Sequence, residues 1–208
     1  METTTTKIRV WDAPTRVFHW LLVFSFAGAY LTSESERWSL VHITLGYTLG
    51  GLIAFRLIWG FVGTRYARFT SFVKGPSEVL QYAKSMATLK PKHFVGHNPL
   101  GAAAIVLLLV SGIAIVVTGY AAFNEIGGEW VAGLHEVSAN AMLVLVGIHI
   151  AGVVAASWLH KENLARAMVN GFKQGKAVDG ISRLWVSVAV LLVAAVLGFW
   201  YLQWASLG

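Results

Sequence analysis

Residues 131–159 read VAGLHEVSANAMLVLVGIHIAGVVAASWL. This stretch is apolar over most of its length and is long enough to cross a bilayer, which takes about 20 residues of α-helix. Two histidines, His135 and His149, interrupt it. At about 100° and 1.5 Å per residue, both point to nearly the same face of one helix and lie about 21 Å apart along its axis. One transmembrane helix would therefore present an imidazole near each membrane surface.

The composition of the whole chain is typical of a membrane protein. Of 208 residues, 56% are hydrophobic and only 12% are charged, about half the charged share of a soluble domain. This excludes a disordered chain and disfavours an ordinary soluble one. The absence of cysteine excludes disulfides, thiolate metal sites, iron–sulfur clusters and covalently attached c-type haem. We assign the net charge of +6 to basic cytoplasmic loops and expect no nucleic-acid partner.

The hydrophobic pattern predicts an all-α integral membrane bundle with five transmembrane helices in one domain, residues 1–208. The predicted spans are Thr15–Thr32, Trp38–Phe61, Pro99–Phe123, Val131–Leu159 and Leu184–Trp204. Basic residues precede the first span and fill the connections between spans two and three and between spans four and five. The positive-inside rule then places the N-terminus in the cytoplasm and the C-terminus outside. The two outer connections are acidic, with Glu34, Glu36, Glu125 and Glu129.

Two segments allow alternative interpretations. The first span could be a cleaved signal peptide that ends at Ala27–Ala29, because it begins with basic residues and ends in small ones. The long connection Gly63–Asn98 is partly amphipathic, so it is either a short helix on the membrane surface or an ordinary ordered loop.

The positions of four histidines predict two pairs at two depths. His19 lies near the cytoplasmic end of the first span and His42 near the outer end of the second. Because the fourth span runs inwards, His19 matches the depth of His149 and His42 that of His135. Each pair can hold one flat iron porphyrin between two helices, which is how bundles build cofactor sites.

The four histidines allow three other roles: a zinc centre, a proton relay or a place in a haem-free scaffold. A single zinc centre needs three or four converging ligands, and ligands about 21 Å apart on one helix cannot converge. A proton relay remains possible, although the apolar stretch Met142–Ile148 interrupts it. A haem-free helical scaffold also remains possible. We interpret His93 and His160 as surface residues.

Three arginines stand where the anionic propionates of a porphyrin would need partners. Arg16 lies one turn before His19, and Arg37 lies near His42. Arg56 follows His42 by 14 residues, so it shares the same helix face at the inner end. Binding to lipid phosphate, or an ordinary interfacial charge at Arg16 and Arg37, is the alternative.

Three stretches carry a family resemblance. The first is VWDAPTRVFHW at residues 10–20, and the second is His42 with Gly46, Tyr47, Arg56, Trp59 and Gly60. The third runs from LHE at residues 134–136 through GIH at 147–149 to HKEN at 160–163. Together they resemble the bacterial cytochrome b561 and nickel–iron hydrogenase b-type cytochrome subunit family. The resemblance covers about residues 8–175, and the fifth span about 184–204 occurs in some members only.

The resemblance implies the cofactors and their ligands. Two haem b groups would be held by His19 with His149 and by His42 with His135, the pairing reached above from depth. It also implies electron exchange with a membrane quinone, ubiquinone or menaquinone, near residues 96–101. There His97 and Asn98 would bond the quinone oxygens, with His97 carrying a proton near neutral pH. Capping of the third span by Asn98 before Pro99 is the alternative.

The expected function is electron transfer across the bacterial inner membrane, in contact with lipid. The periplasmic partner would be a c-type cytochrome or a hydrogenase-like subunit. We expect an electron-transfer subunit rather than an independent enzyme. The alternative implied by the family is a stand-alone superoxide oxidase or ferric reductase that uses the same two haems.

Overall fold

The computed structural model describes residues 6–89 and 91–205. The two chain ends, whose sides of the membrane the charge pattern predicts, lie outside the described residues. The helices are α1 Ala13–Thr32, α2 Ser39–Val62, α3 Phe69–Phe72, α4 Pro76–Ala87, α5 Pro99–Phe123, α6 Glu129–His160, α7 Leu164–Asn170 and α8 Val186–Ala205. The strands are β1 Thr6–Arg9 and β2 Phe172–Gly175, and short 3₁₀ helices cover Glu36–Trp38 and Ala177–Asp179.

Each predicted span is a long helix in the structure: α1, α2, α5, α6 and α8. Within residues 6–89 and 91–205, four helical segments are long and apolar enough to cross a membrane. They are Glu36–Val62, Pro99–Phe123, Glu129–His160 and Val186–Ala205. Helix α1 has 20 residues, but Arg16, His19 and several hydroxyl side chains lower its mean hydropathy. The structure therefore supports four of the five predicted spans.

Local side-chain chemistry sets the helix ends. Asp12 caps α1, because its Oδ1 accepts a hydrogen bond from the Thr15 N–H at 2.8 Å. Asn163 caps α7 in the same way, accepting from Arg166 N at 2.7 Å. Helix α6 ends where Lys161 takes a left-handed conformation, φ 51°. Trp185 has φ 54°, so α8 begins at Val186, two residues later than the sequence predicts.

The bundle centre is filled by apolar side chains from the long helices. One buried cluster joins α1, α2, α5 and α6 through Phe26, Leu49, Ile53, Ile115 and Met142. A second joins α1, α2, α5 and α8 through Phe18, Leu52, Leu109 and Val196. Trp200 Nε1 donates to Thr48 Oγ1 at 2.8 Å, which attaches α8 to α2.

A small sheet closes one end of the bundle. Strands β1 and β2 pair antiparallel, with Thr6 opposite Gly175 and Arg9 opposite Phe172. The sheet brings the segment before α1 beside the segment after α7. The long connection 63–98 contains the helix α4, which packs against α5 and buries Tyr82 while leaving Leu80 exposed. An amphipathic helix is thus present, and its location on a membrane surface stays a prediction.

Candidate functional site

His42 on α2 and His135 on α6 face each other across the bundle. Their ring centroids lie 6.1 Å apart, and the ring planes are nearly perpendicular at 88°. Two imidazole nitrogens that bind one metal from opposite sides at about 2 Å place their ring centroids about 6 Å apart. The spacing of this pair therefore fits an iron held between the two rings.

The other ring nitrogens of this pair are occupied by backbone carbonyl oxygens. His42 Nδ1 lies 2.8 Å from the Ala29 carbonyl oxygen, and His135 Nδ1 lies 3.0 Å from that of Ile115. A carbonyl oxygen only accepts, so each Nδ1 carries the proton and donates it. In the neutral ring Nε2 is then the nitrogen with the lone pair, as a metal ligand requires. Helices α1 and α5 thus orient the two rings.

A cavity of about 450 Å³ opens beside these two histidines. Its remaining lining is mostly apolar and comes from α2 and α5, including Gly46, Tyr47 and Val116. A Cβ at Gly119 would lie 2.8 Å from Cε1 of His135, so the missing side chain at Gly119 makes room for the ring. An apolar cavity that ends on two imidazoles suits a flat porphyrin.

The second histidine pair lies on α1 and α6. His19 and His149 are close enough to interact electrostatically, although no direct ring contact between them is seen in the described part of the chain. The Nδ1 of His19 is enclosed and has no hydrogen-bond partner. An enclosed ring nitrogen without a partner costs free energy that a bound group can offset. This pair is therefore compatible with a cofactor site, although its two rings do not contact each other as those of His42 and His135 do.

The three predicted arginines differ in their surroundings. Arg56 is 3% exposed and lies over the rings of Phe69 and Phe72, 4.8 and 5.8 Å from their centroids. Its Nη1 is buried without a hydrogen-bond partner. Arg16 donates instead to the Val169 carbonyl at 2.6 Å, and Arg37 is exposed. Arg56 is thus a buried cation whose Nη1 lacks a hydrogen-bond partner, although the Asp12 carboxylate is close enough to interact with it electrostatically.

The predicted quinone residues lie at the His19–His149 end. The ring of His97 lies between those of Trp11 and Phe72, with centroids 4.5 and 4.6 Å away. It is close enough to both histidines to interact electrostatically. Burial, reinforced by the positive charges of Arg56 and Lys173, lowers the pKa of His97 to about 3. His97 is therefore neutral at physiological pH in this arrangement.

Asn98 caps helix α5, which is the alternative role that its position before Pro99 indicates. Its Oδ1 accepts a hydrogen bond from Gly101 N at 2.7 Å and caps α5. The cap uses the side-chain oxygen and leaves Nδ2 available as a donor.

Sequence reasoning missed two groups of polar residues near this end. Asp12 is buried and accepts three hydrogen bonds; its position just before Pro14 was a capping signal that could have found it. Glu162 and Lys173 form a buried ion pair with Nζ and Oε2 3.2 Å apart, which nothing in the sequence pattern indicated. Among residues 6–89 and 91–205, no three His, Asp or Glu side chains gather as a metal-binding group.

A sequence model of the family described as prokaryotic cytochrome b561 matches residues 10–171. The chain belongs to the prokaryotic cytochrome b561 family. The match includes His19, His42, His135 and His149. Membership implies a haem b cofactor and electron transfer for this cytochrome, in keeping with its several apolar helices.

Relatives of this cytochrome b561 include proteins named as probable Ni/Fe-hydrogenase B-type cytochrome subunits. The one from Rhodobacter capsulatus is 24% identical, over 82% of this chain and 83% of the relative. The one from Azotobacter vinelandii is 28% identical, over 82% of this chain and 90% of the relative. A probable Ni/Fe-hydrogenase 1 B-type cytochrome subunit of Escherichia coli K12 is 27% identical, over 56% of this chain and 60% of the relative. No solved structure matches this chain.

Proposed function

We propose that this cytochrome b561 carries electrons across the bacterial inner membrane through two haem b groups. His42 and His135 would hold one, and His19 and His149 the other. The observation that carries the proposal is the facing pair of His42 and His135, with both Nδ1 atoms bonded to carbonyl oxygens. Iron bound by two imidazoles has no open position, so it supplies one-electron transfer rather than oxygen binding.

Arginine side chains would bind the haem propionates, and apolar side chains would fill the space between the two haems. Arg56 would bind a propionate of the haem held by His19 and His149, because its buried Nη1 lacks a hydrogen-bond partner. Arg16 and Arg37 are weaker candidates for the same task, since Arg16 is engaged with Val169 and Arg37 is exposed. The packed cluster around Met142 and Phe26 would separate the two haems and exclude water from the gap.

The membrane quinone, ubiquinone or menaquinone, would bind beside His97 and Asn98. Two features support this location: His97 lies among aromatic rings near the His19–His149 pair, and the Asn98 Nδ2 remains a free donor. Neutral His97 would accept a hydrogen bond from a quinol hydroxyl or donate one to a quinone oxygen.

Helix α1 would be the fifth span, with the N-terminus in the cytoplasm and the C-terminus in the periplasm. The His42–His135 pair would then lie near the periplasmic surface, where acidic residues attract a basic redox protein. The names of the relatives favour a hydrogenase subunit as that protein, and a c-type cytochrome is the other candidate. The acidic residues are Glu34, Glu36, Glu125 and Glu129.

Proteoliposomes test the proposal. The cytochrome is reconstituted with a quinol in the bilayer and ferricyanide, which does not cross membranes, on one side only. Quinol-dependent reduction of ferricyanide at the His42–His135 side is expected, and a His135→Ala variant should abolish it while keeping the other haem. Equal rates in the variant and the wild type would contradict the proposed path.

A further inference from the structure

A buried ammonium lies unexplained beside the proposed quinone site. Lys173 on β2 forms an ion pair with Glu162, with Nζ 3.2 Å from Oε2, and donates a hydrogen bond to the Phe94 carbonyl oxygen at 3.1 Å. Its side chain is only 4% exposed. Burying a lysine is costly unless it is paired, and neither electron transfer nor haem ligation requires a lysine at this position.

From Lys173, a line of exchangeable groups leads to solvent. Glu162 Oε2 lies 3.6 Å from His93 Nε2. The exposed fraction of the side chain rises along this line, from 4% at Lys173 to 12% at Glu162 and 45% at His93. Each group gains and loses a proton more readily than a hydroxyl or an amide does. We call Lys173, Glu162 and His93 together the Lys173 line.

The inner end of the Lys173 line reaches the neighbourhood of His97. Lys173 is close enough to His97 to lower its pKa electrostatically. Phe94, whose carbonyl accepts from Lys173, belongs to the same loop as His97. Burial lowers the pKa of Lys173, and the neighbouring Glu162 carboxylate opposes that shift. Desolvation thus brings the ammonium closer to releasing its proton.

Other titratable groups border the line without joining it. The His160 ring lies against that of His93 at 5.5 Å, and the Tyr82 hydroxyl is 3.2 Å from His160 Nε2. Arg56 also interacts with His97 electrostatically. His160 and Tyr82 therefore position His93, while Arg56 keeps positive charge at the inner end.

We propose that Lys173, Glu162 and His93 conduct protons between solvent and the quinone site beside His97. The inference rests on the quinone site proposed above. When a quinol is oxidised there, its two O–H bonds break, and its two electrons would leave one at a time through the haem that His19 and His149 would hold, the first moving on towards the redox partner before the second follows. Its two protons pass one at a time along Lys173, Glu162 and His93 to water. Quinone reduction takes up two electrons and two protons by the reverse route.

The opposing interpretation is purely structural: the Lys173–Glu162 pair would only fasten β2 to the link between α6 and α7. Two variants distinguish the interpretations. His93→Asn alters a ring whose side chain is 45% exposed. Glu162→Gln keeps an oxygen for the Gln174 N–H, which the carboxylate accepts at 3.0 Å. Glu78→Gln, an exposed carboxylate on α4, is the matched control.

The experiment measures haem reduction by decylubiquinol, and in parallel by menadiol, in the purified full-length cytochrome by stopped flow, with and without added imidazole. Both variants should keep the wild-type haem content and dithionite spectrum but be reduced about tenfold more slowly or worse, the low end of what a proton-transfer group contributes. Imidazole should restore the rate of His93→Asn, because it replaces the missing proton carrier. The Glu78→Gln control should match the wild type.

Two results would overturn the proton route while leaving the quinone site intact. Both variants could be reduced as fast as the wild type, or both could be slow with no response of His93→Asn to imidazole. Failure of decylubiquinol and menadiol to reduce the wild type at all would instead overturn the quinone site, and the proton route with it.

Discussion

The Oδ2 atom of Asp12 accepts a hydrogen bond from Trp59 Nε1 at 3.1 Å. The same atom accepts from the Thr64 hydroxyl at 2.6 Å, while Oδ1 caps α1. One carboxylate, 1% exposed, therefore fastens the start of α1 to the end of α2. Helices α1 and α2, which this carboxylate joins at one end, carry the proposed haem ligands His19 and His42.

Replacing Asp12 with alanine should destabilise the cytochrome strongly. The change removes a helix cap, which costs about 1 kcal/mol, and leaves two buried donors unpaired at about 1–3 kcal/mol each. We expect a loss of about 3 kcal/mol or more, measured as a fall in the unfolding temperature in detergent. Asp12→Asn keeps the cap and should lose less. Asp179→Ala breaks a 3.7 Å contact with the exposed Arg65 and should change the temperature little; equal effects of the two alanine variants would contradict this assignment.

Replacing Gly119 with alanine should disturb only the His42–His135 site. The new Cβ would lie 2.8 Å from His135 Cε1, so the ring must move out of line with His42. The haem-to-protein ratio should fall towards one, as measured by the reduced α-band. Gly133→Ala is the matched control, because Gly133 precedes His135 by two residues on the opposite face and its Cβ would meet nothing within 4 Å. A loss of haem in the control but not in Gly119→Ala would show that the ring is oriented otherwise.

The sequence predicted the long helices well because their signals are local. Apolar runs, together with Asn98 before Pro99 at the third span, set helix bounds within about two residues. The pairing of His42 with His135 was predicted from their matching depth in the membrane. By contrast, α1 was counted as a span although Arg16 and His19 make it the least apolar of the five.

Contacts between segments distant in the chain could not be predicted from the sequence. The pairing of β1 with β2 and the burial of Lys173 against Glu162 depend on how chain segments more than ten residues apart meet. His93 and His160 were interpreted as surface residues, and His93 is indeed exposed. Their contacts with Glu162 and Tyr82 have no periodic signal that a single sequence could reveal.

The stability of the cytochrome should depend on pH through His97. The folded protein keeps this ring neutral, with a pKa of about 3, whereas the unfolded chain binds a proton below about 6.5. Between pH 6.5 and about 3, unfolding therefore takes up a proton at His97. The contribution of His97 to the free energy of unfolding is full above pH 6.5 and is lost as the pH drops towards 3. The loss approaches about 5 kcal/mol at most, at about 1.36 kcal/mol per pKa unit.

A His97→Gln variant isolates that contribution. Unfolding temperatures of variant and wild type are compared at several pH values between 7 and about 4. Carboxylates titrate alike in both proteins, so the difference between the two profiles reports His97. The variant should lose less stability on acidification than the wild type. Parallel profiles would mean that His97 is protonated or solvated in the folded protein.

Replacing Trp200 with phenylalanine should loosen α8 without affecting the haems. The change removes the hydrogen bond from Nε1 to the buried Thr48 Oγ1, which keeps only its own bond to the Thr44 carbonyl oxygen, and costs about 1 kcal/mol. The unfolding temperature should fall by a few degrees, with unchanged haem spectra. Trp204→Phe, at an exposed position on the same helix, should have no effect. A loss of haem in Trp200→Phe would place α8 closer to a cofactor than the proposed sites allow.

Quantifying haem b in the purified cytochrome tests the central claim most directly. The pyridine haemochrome assay should give two haems per chain in the wild type. It should give one in His42→Ala and in His135→Ala, and a different one in His19→Ala and in His149→Ala, distinguished by the low-temperature α-band. A wild type without haem, or a single replacement that removes both haems or neither, would contradict the two facing histidine pairs.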